Sequence, residues 1–128
     1  LIDTTTFGLT GKQAEAAMFR CGVTLNANAL PFDKNGPWWT SGIRVGTPAV
    51  TTLGMTKEDM KEIASIINWV LQGTKPGLTK EGKPAKGKIE IDAAVEEEGK
   101  KRVNALLSKY VLYPELDLDF LKAEFVKD

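Results

Sequence analysis

"TSGIRVGTPA" occupies residues 40–49, and its reading decides the fold. Ile43 and Val45 flank Arg44, with Gly42 and Gly46 just outside them, so a short apolar run bounded by glycines predicts a strand. Gly46-Thr47-Pro48 then turns the chain out of it. Arginine is almost never fully buried without a partner, so Arg44 raises the question of which anion it meets. One answer is an Asp or Glu elsewhere in the chain, and on spacing alone such a structural ion pair is the commoner outcome. The other is a small acid gripped by the planar guanidinium, whose fork donates two parallel hydrogen bonds to a carboxylate or phosphate. Flanking glycines let backbone and ligand come close.

Upstream, Leu1-Ile2 reads as the end of a strand that enters a polar, turn-rich run over residues 3–8. Thr10 and Gln13 have the spacing of a capping box, in which each side chain satisfies an orphaned backbone donor at a helix start. Ala14, Ala17, Met18 and Cys21 share one helical face, the alanines small enough to lie close to a sheet, and Gly22 supplies the stop. Residues 23–26 alternate like a half-buried strand. Residues 27–39 are broken by Pro31, Gly36 and Pro37 and read as a long irregular loop, a kind of segment that often carries function.

Downstream, Thr56 opens the clearest element. Met60, Ile63, Ala64, Ile67, Val70 and Leu71 follow a helical stripe, and Gly73 ends it. The Gly-, Pro- and Lys-rich residues 74–88 are expected to be a flexible surface loop running on to position 91. Asp92 caps a third helix with Val95, Val103, Leu106, Leu107 and Tyr110 inward, and Pro114 closes it. Glu96, Glu97 and Glu98 lie near the positive end of its dipole and read as an exposed helix start. Residues 115–128 form a tail with room for one short amphipathic helix. The fold class expected is α+β: a small antiparallel sheet of two to three strands with helices packed on one face, as a single domain over residues 1–128.

Composition narrows the chemistry. Seventeen basic residues balance seventeen acidic ones among 128, so the basic footprint of a nucleic-acid binder is missing. No apolar run nears the roughly 20 residues of a membrane span. Cys21 is the one cysteine, so no internal disulfide forms, which fits a reducing, cytoplasmic setting. Histidine is absent, which removes Ser-His-Asp and Cys-His nucleophile systems and the commonest metal ligand, so no metal site is expected. Asn26 and Asn28 offer amide donors and acceptors that match heteroaromatic edges, although an Asx turn at a strand end is the simpler local reading. Trp38-Trp39 could stack on an aromatic ligand or anchor an interface, but adjacent side chains in an extended segment do not share one pocket. No nucleophile, acid-base pair or phosphate loop emerges, so no catalytic residue is assigned.

Taken in order, "LTGKQAEAAM", "CGVTLNANALPFD", "TSGIRVGTPAVTTLGM" and "EDMKEIASII" resemble the C-terminal part of serine hydroxymethyltransferases, over roughly residues 1–67. The resemblance implies the small C-terminal domain of a fold-type-I pyridoxal-phosphate enzyme that interconverts serine and glycine and passes the one-carbon unit to tetrahydrofolate. It also implies a large domain of the same enzyme as partner and a homodimer or homotetramer when intact. By this likeness Arg44 holds the α-carboxylate of serine or glycine. Asn28 matches the family's asparagine that hydrogen-bonds the pterin ring of the folate, and its loop through Pro31 and Asp33 forms part of that wall. The family's cofactor-binding lysine follows a threonine-rich motif in the large domain that does not occur here, and its cofactor-stacking histidine is absent. Leu53 stands where the family often carries arginine, and Trp38-Trp39 is bulkier than the usual pair. The segment from residue 74 onward reads as an extension. A start on Leu1 rather than Met is expected of a piece of a longer protein, inactive alone. Two other readings fit the residues: a free-standing binding or interaction domain, or the small domain of another fold-type-I enzyme, an aldolase or transaminase.

Overall fold

The computed structural model describes residues 1–125, and the last three positions of the expected tail lie outside them. Strand β3 (Gly42–Arg44) is the middle of a three-stranded antiparallel sheet, between β1 (Ile2–Asp3) and β2 (Asn26–Asn28). Ile43 faces Ile2 on one side and Ala27 on the other and is fully buried. Arg44 and Gly42, one residue either way, take the opposite face. The strand expected at residues 23–26 therefore begins three residues later. Val23 and Leu25 pack into the core without ladder bonds, and pairing starts only where Asn26 meets Arg44.

Helix α1 (Gly11–Arg20) crosses the sheet, and the capping box is formed: the Gln13 backbone N–H donates to the Thr10 hydroxyl (3.2 Å), and the Thr10 N–H donates to Gln13 Oε1 (2.9 Å). Gly11 lies so close to β3 that a Cβ there would overlap the Gly42 carbonyl oxygen and Thr40 Oγ1. A one-turn helix α2 (Gly36–Trp39) interrupts the long loop, and α3 (Pro48–Thr52) follows β3.

Helix α4 (Lys57–Gln72) buries Ile66, Ile67, Val70 and Leu71. The expected stripe has the right period but the wrong centre, since Ala64 is exposed and Ile66 is 2% exposed. The helix packs against both α1 and α5 (Ala93–Leu107), which turns its buried face away from Ala64. Asp59 accepts from the Thr56 backbone N–H and hydroxyl, each at 2.7 Å, and from the Tyr110 hydroxyl at 2.6 Å, joining the start of α4 to the chain beyond α5.

Residues 74–91 form a hairpin rather than a loop. Strand β4 (Thr74–Leu78) pairs with β5 (Pro84–Ile91), with a register shift between Pro76 and Leu78. The lysine-rich composition hides an alternation: Ile89 and Ile91 pack on the core, while Lys88 and Glu90 point to water. Helix α1 fastens the hairpin in place. The buried Gln13 amide donates to the Ala85 and Lys88 carbonyls (2.7 and 2.8 Å), and the Thr10 hydroxyl donates to the Lys86 carbonyl (2.7 Å).

Helix α5 stops at Leu107, short of Pro114, in a turn tightened by Lys109 and Tyr110 N–H bonds to the carbonyls three residues back. Glu96 is not part of an exposed start. It pairs with Arg20 of α1 and with Lys100 (2.6 Å), whereas Glu97 stays in water. Helix α6 (Leu118–Phe125) gives the tail its short helix, with no buried residue. No helix among the described residues is long and apolar enough to cross a membrane.

Candidate functional site

Arg44 is exposed, and no described Asp or Glu forms an ion pair with it. Among the described residues its side chain makes one hydrogen bond, across the ladder from Nη2 to Asn26 Oδ1 at 3.1 Å. Of the two anions the sequence leaves open, the structural carboxylate is therefore not the one used among the described residues. The pairing Asn26↔Arg44 and Asn28↔Gly42 puts Asn26, Asn28 and Arg44 on one face of the sheet, the face away from buried Ile43. Gly42 leaves room there for Leu30, since a Cβ on Gly42 would come within 2.6 Å of Leu30 Cδ2.

Asn28 is half-buried where β2 gives way to the loop, and its Nδ2 donates to the Ala29 carbonyl at 2.7 Å. That is a bond to the next residue, not an Asx turn, and Oδ1 takes no partner among the described residues.

The loop that follows Asn28 is clamped to the arginine strand by one carboxylate. Asp33 Oδ2 accepts from the backbone N–H groups of Leu30 (3.0 Å) and Ser41 (2.7 Å). Asp33 Oδ1 accepts from the Asn35 N–H (2.8 Å) and the Ser41 hydroxyl (2.6 Å). The Ser41 hydroxyl bond, with the three backbone donors behind it, outweighs desolvation and holds the Asp33 carboxyl down at about 2. Because the folded value lies below the ordinary one, this clamp is at full strength above about pH 4 and weakens as pH falls toward 2. Asp33→Asn mimics the protonated state at neutral pH. The Leu30 and Ser41 amides should then exchange with solvent about tenfold faster by NMR, while core amides in α4 hold their rates. Unchanged exchange at Ser41 would remove the clamp from the account.

Other sequence candidates fall elsewhere. Trp38 is exposed, while Trp39 is half-buried against the hairpin, where a Cβ on Gly87 would come within 2.6 Å of its ring. The two rings thus part company. Cys21 is buried, and desolvation raises its thiol above the ordinary value, so it acts as a small apolar residue. Ile63 packs on the core as expected, and with Met55, Met60, Leu25, Val45 and Leu106 it lines an apolar cavity of about 210 Å³. No converging polar groups make it a reaction chamber.

The described residues form no enclosed pocket that fits pyridoxal phosphate. Every described lysine is exposed, the apolar cavity is lined by no cationic side chain, and the hollow beside the loop sets the carboxylates of Asp3 and Asp33 against the single cation of Lys34.

The family model described as serine hydroxymethyltransferase matches residues 1–67, a little over half of the chain. The chain belongs to the serine hydroxymethyltransferase family. The matched segment contains β1 to α3, and with them Arg44, Asn26, Asn28 and Asp33. A serine hydroxymethyltransferase of Treponema pallidum is 52% identical over 127 residues, 99% of this chain and 22% of the relative. Those of Salinispora tropica and Cutibacterium acnes are 47% and 45% identical over 92% of this chain, covering 25% and 24% of their own lengths. The chain thus spans about a quarter of the length of these relatives. Their alignments also run well past residue 67, so the likeness extends over the hairpin and α5, which the sequence reading set apart as an extension.

Asn26 is the site residue whose role sequence reasoning missed. Its partnership with Arg44 depends on the ladder register, which the misplaced strand obscured.

Proposed function

We propose that this chain is the small C-terminal domain of a cytoplasmic serine hydroxymethyltransferase, which interconverts serine and glycine and transfers the one-carbon unit to tetrahydrofolate. The observation that carries the reading is an arginine fork on an open sheet face, bonded among the described residues to a neutral amide alone, within the segment the family model matches. Arg44 holds the amino acid's α-carboxylate, and that grip limits the rotation of the bound substrate. Asn28, two residues along the same strand face, meets the pterin edge with its unpartnered Oδ1 and its amide. The Asp33 clamp keeps that loop at a fixed height above β3. The large domain of the same enzyme supplies pyridoxal phosphate and its lysine, and closes the cleft as part of a homo-oligomer. The cofactor acts there as the electron sink.

Two measurements test this reading. Asn28→Ala in the full-length enzyme should lower folate-dependent serine turnover about tenfold or more, as expected when a buried polar ligand edge loses its partner. Folate-independent aldol cleavage of a 3-hydroxy amino acid should fall much less. Equal losses in both reactions would point to another fold-type-I enzyme. The 128-residue chain mixed with pyridoxal phosphate should show no imine absorbance band and no serine cleavage. A band that borohydride bleaches while modifying one lysine would overturn the division of labour between the domains.

A further inference from the structure

We propose that Asn26 is a positioning residue for Arg44, a neutral support that aims the guanidinium without consuming its charge. The proposal rests on the reading of Arg44 as the carboxylate anchor. Asn26 sits directly opposite Arg44 in the ladder, and its Oδ1 takes a single N–H, at Nη2. A guanidinium has five N–H donors, so one bond of this kind fixes the plane of the fork and leaves the rest for a ligand. The support is itself held still. Asn26 lies on β2, where the neighbouring Ala27 N–H donates to Glu15 Oε1 at 3.1 Å. Glu15 also pairs with Lys12 at 2.9 Å, so this carboxylate beside β2 is engaged away from Arg44.

The choice of amide over acid is what matters. An aspartate at position 26 would place a full negative charge within hydrogen-bond reach of the fork. It could accept two parallel bonds and occupy the geometry a substrate carboxylate needs. Alanine would merely release the side chain. For the fold alone the order is the reverse, because a charge-matched Asp–Arg pair across strands is at least as favourable as Asn–Arg, so stability and binding are expected to part.

The test compares Asn26→Asp and Asn26→Ala in the full-length enzyme, reading the KM for serine, kcat, the dissociation constant for glycine and the thermal midpoint. Asn26→Asp is expected to raise the KM and the glycine dissociation constant about tenfold or more, with a smaller change in kcat. Asn26→Ala should raise them only about two- to threefold, the scale of one exposed cross-strand bond. Neither should lower the midpoint by more than about 2 °C. In an Arg44→Ala background the aspartate should add no further loss, because the group it blocks is gone. The proposal fails if alanine harms binding as much as aspartate, if both stay within twofold of the parent, or if the aspartate penalty persists without Arg44. Should Arg44→Ala itself leave amino-acid binding unchanged, the carboxylate-anchor reading falls too, and that result separates the two.

Discussion

Replacing Arg44 by alanine in the full-length enzyme is expected to weaken serine and glycine binding by about 30- to 5,000-fold. This corresponds to the roughly 2–5 kcal/mol lost when one partner of a buried, hydrogen-bonded charge pair is removed. The size of the effect depends on the cleft. On the open face seen here, a guanidinium and a carboxylate in water hold each other by no more than about 1 kcal/mol. The 128-residue chain should therefore bind serine too weakly to detect at millimolar concentrations, while the closed enzyme should not. Folate-dependent turnover and folate-free aldol cleavage should suffer together in Arg44→Ala, unlike in Asn28→Ala, because both reactions need the amino acid fixed. Stability is the control: among the described residues the Arg44 side chain makes a single exposed hydrogen bond, so its loss should stay within about 0.5 kcal/mol. If amino-acid affinity survives Arg44→Ala, the anchor assignment is wrong.

The second large effect is structural. Gly11→Ala should either prevent folding or lower the thermal midpoint by about 10 °C or more, the shift that roughly 3 kcal/mol of overpacking produces in a domain of this size. Two effects compete at this position. Alanine favours helix over glycine by about 1 kcal/mol. Against it, the added methyl would overlap the Gly42 carbonyl and Thr40 Oγ1, and the first of these is backbone of the central strand and cannot swing aside. The clash wins because relief requires lifting α1 off the sheet. Gly8→Ala is the comparison: Gly8 has a φ of 72° but nothing within 4 Å of an added Cβ. It should cost only about 1 kcal/mol, the conformational penalty alone. Thermal unfolding of the two variants side by side reads the difference. A stable, cooperatively folding Gly11→Ala protein would mean that α1 does not press on β3 as described.

The parts of this molecule legible in the sequence are those governed by neighbours a few residues apart. The Thr10–Gln13 capping box, the Asp92 cap on α5 and the strand around Ile43 all follow from local rules, and all are present. What sequence reasoning lost depends on contacts between distant residues. The hairpin at residues 74–91 is made a hairpin by Gln13 and Thr10, more than seventy positions away, holding carbonyls that composition alone assigns to a loop. Ile66 enters the core because α4 is pressed from two sides. The site shows the same division. Arg44 stands out as a charge inside an apolar run, and Asn28 is found through the family resemblance. Asn26 and Asp33 act through a strand register and a four-donor clamp that no periodicity announces.

Strand β3 is the one strand of its sheet flanked on both edges, and the arginine sits at its end. An edge strand can peel away and carry its side chains with it, whereas this one cannot move without dismantling two ladders at once. Arg44 itself is laddered on one side only, to Asn26, and is steadied through Ile43 beside it, which both ladders hold, so most of the guanidinium's freedom lies in the side chain's own torsions. A mutation that shifts the β2–β3 ladder would therefore displace the arginine more readily than one in the loops above it.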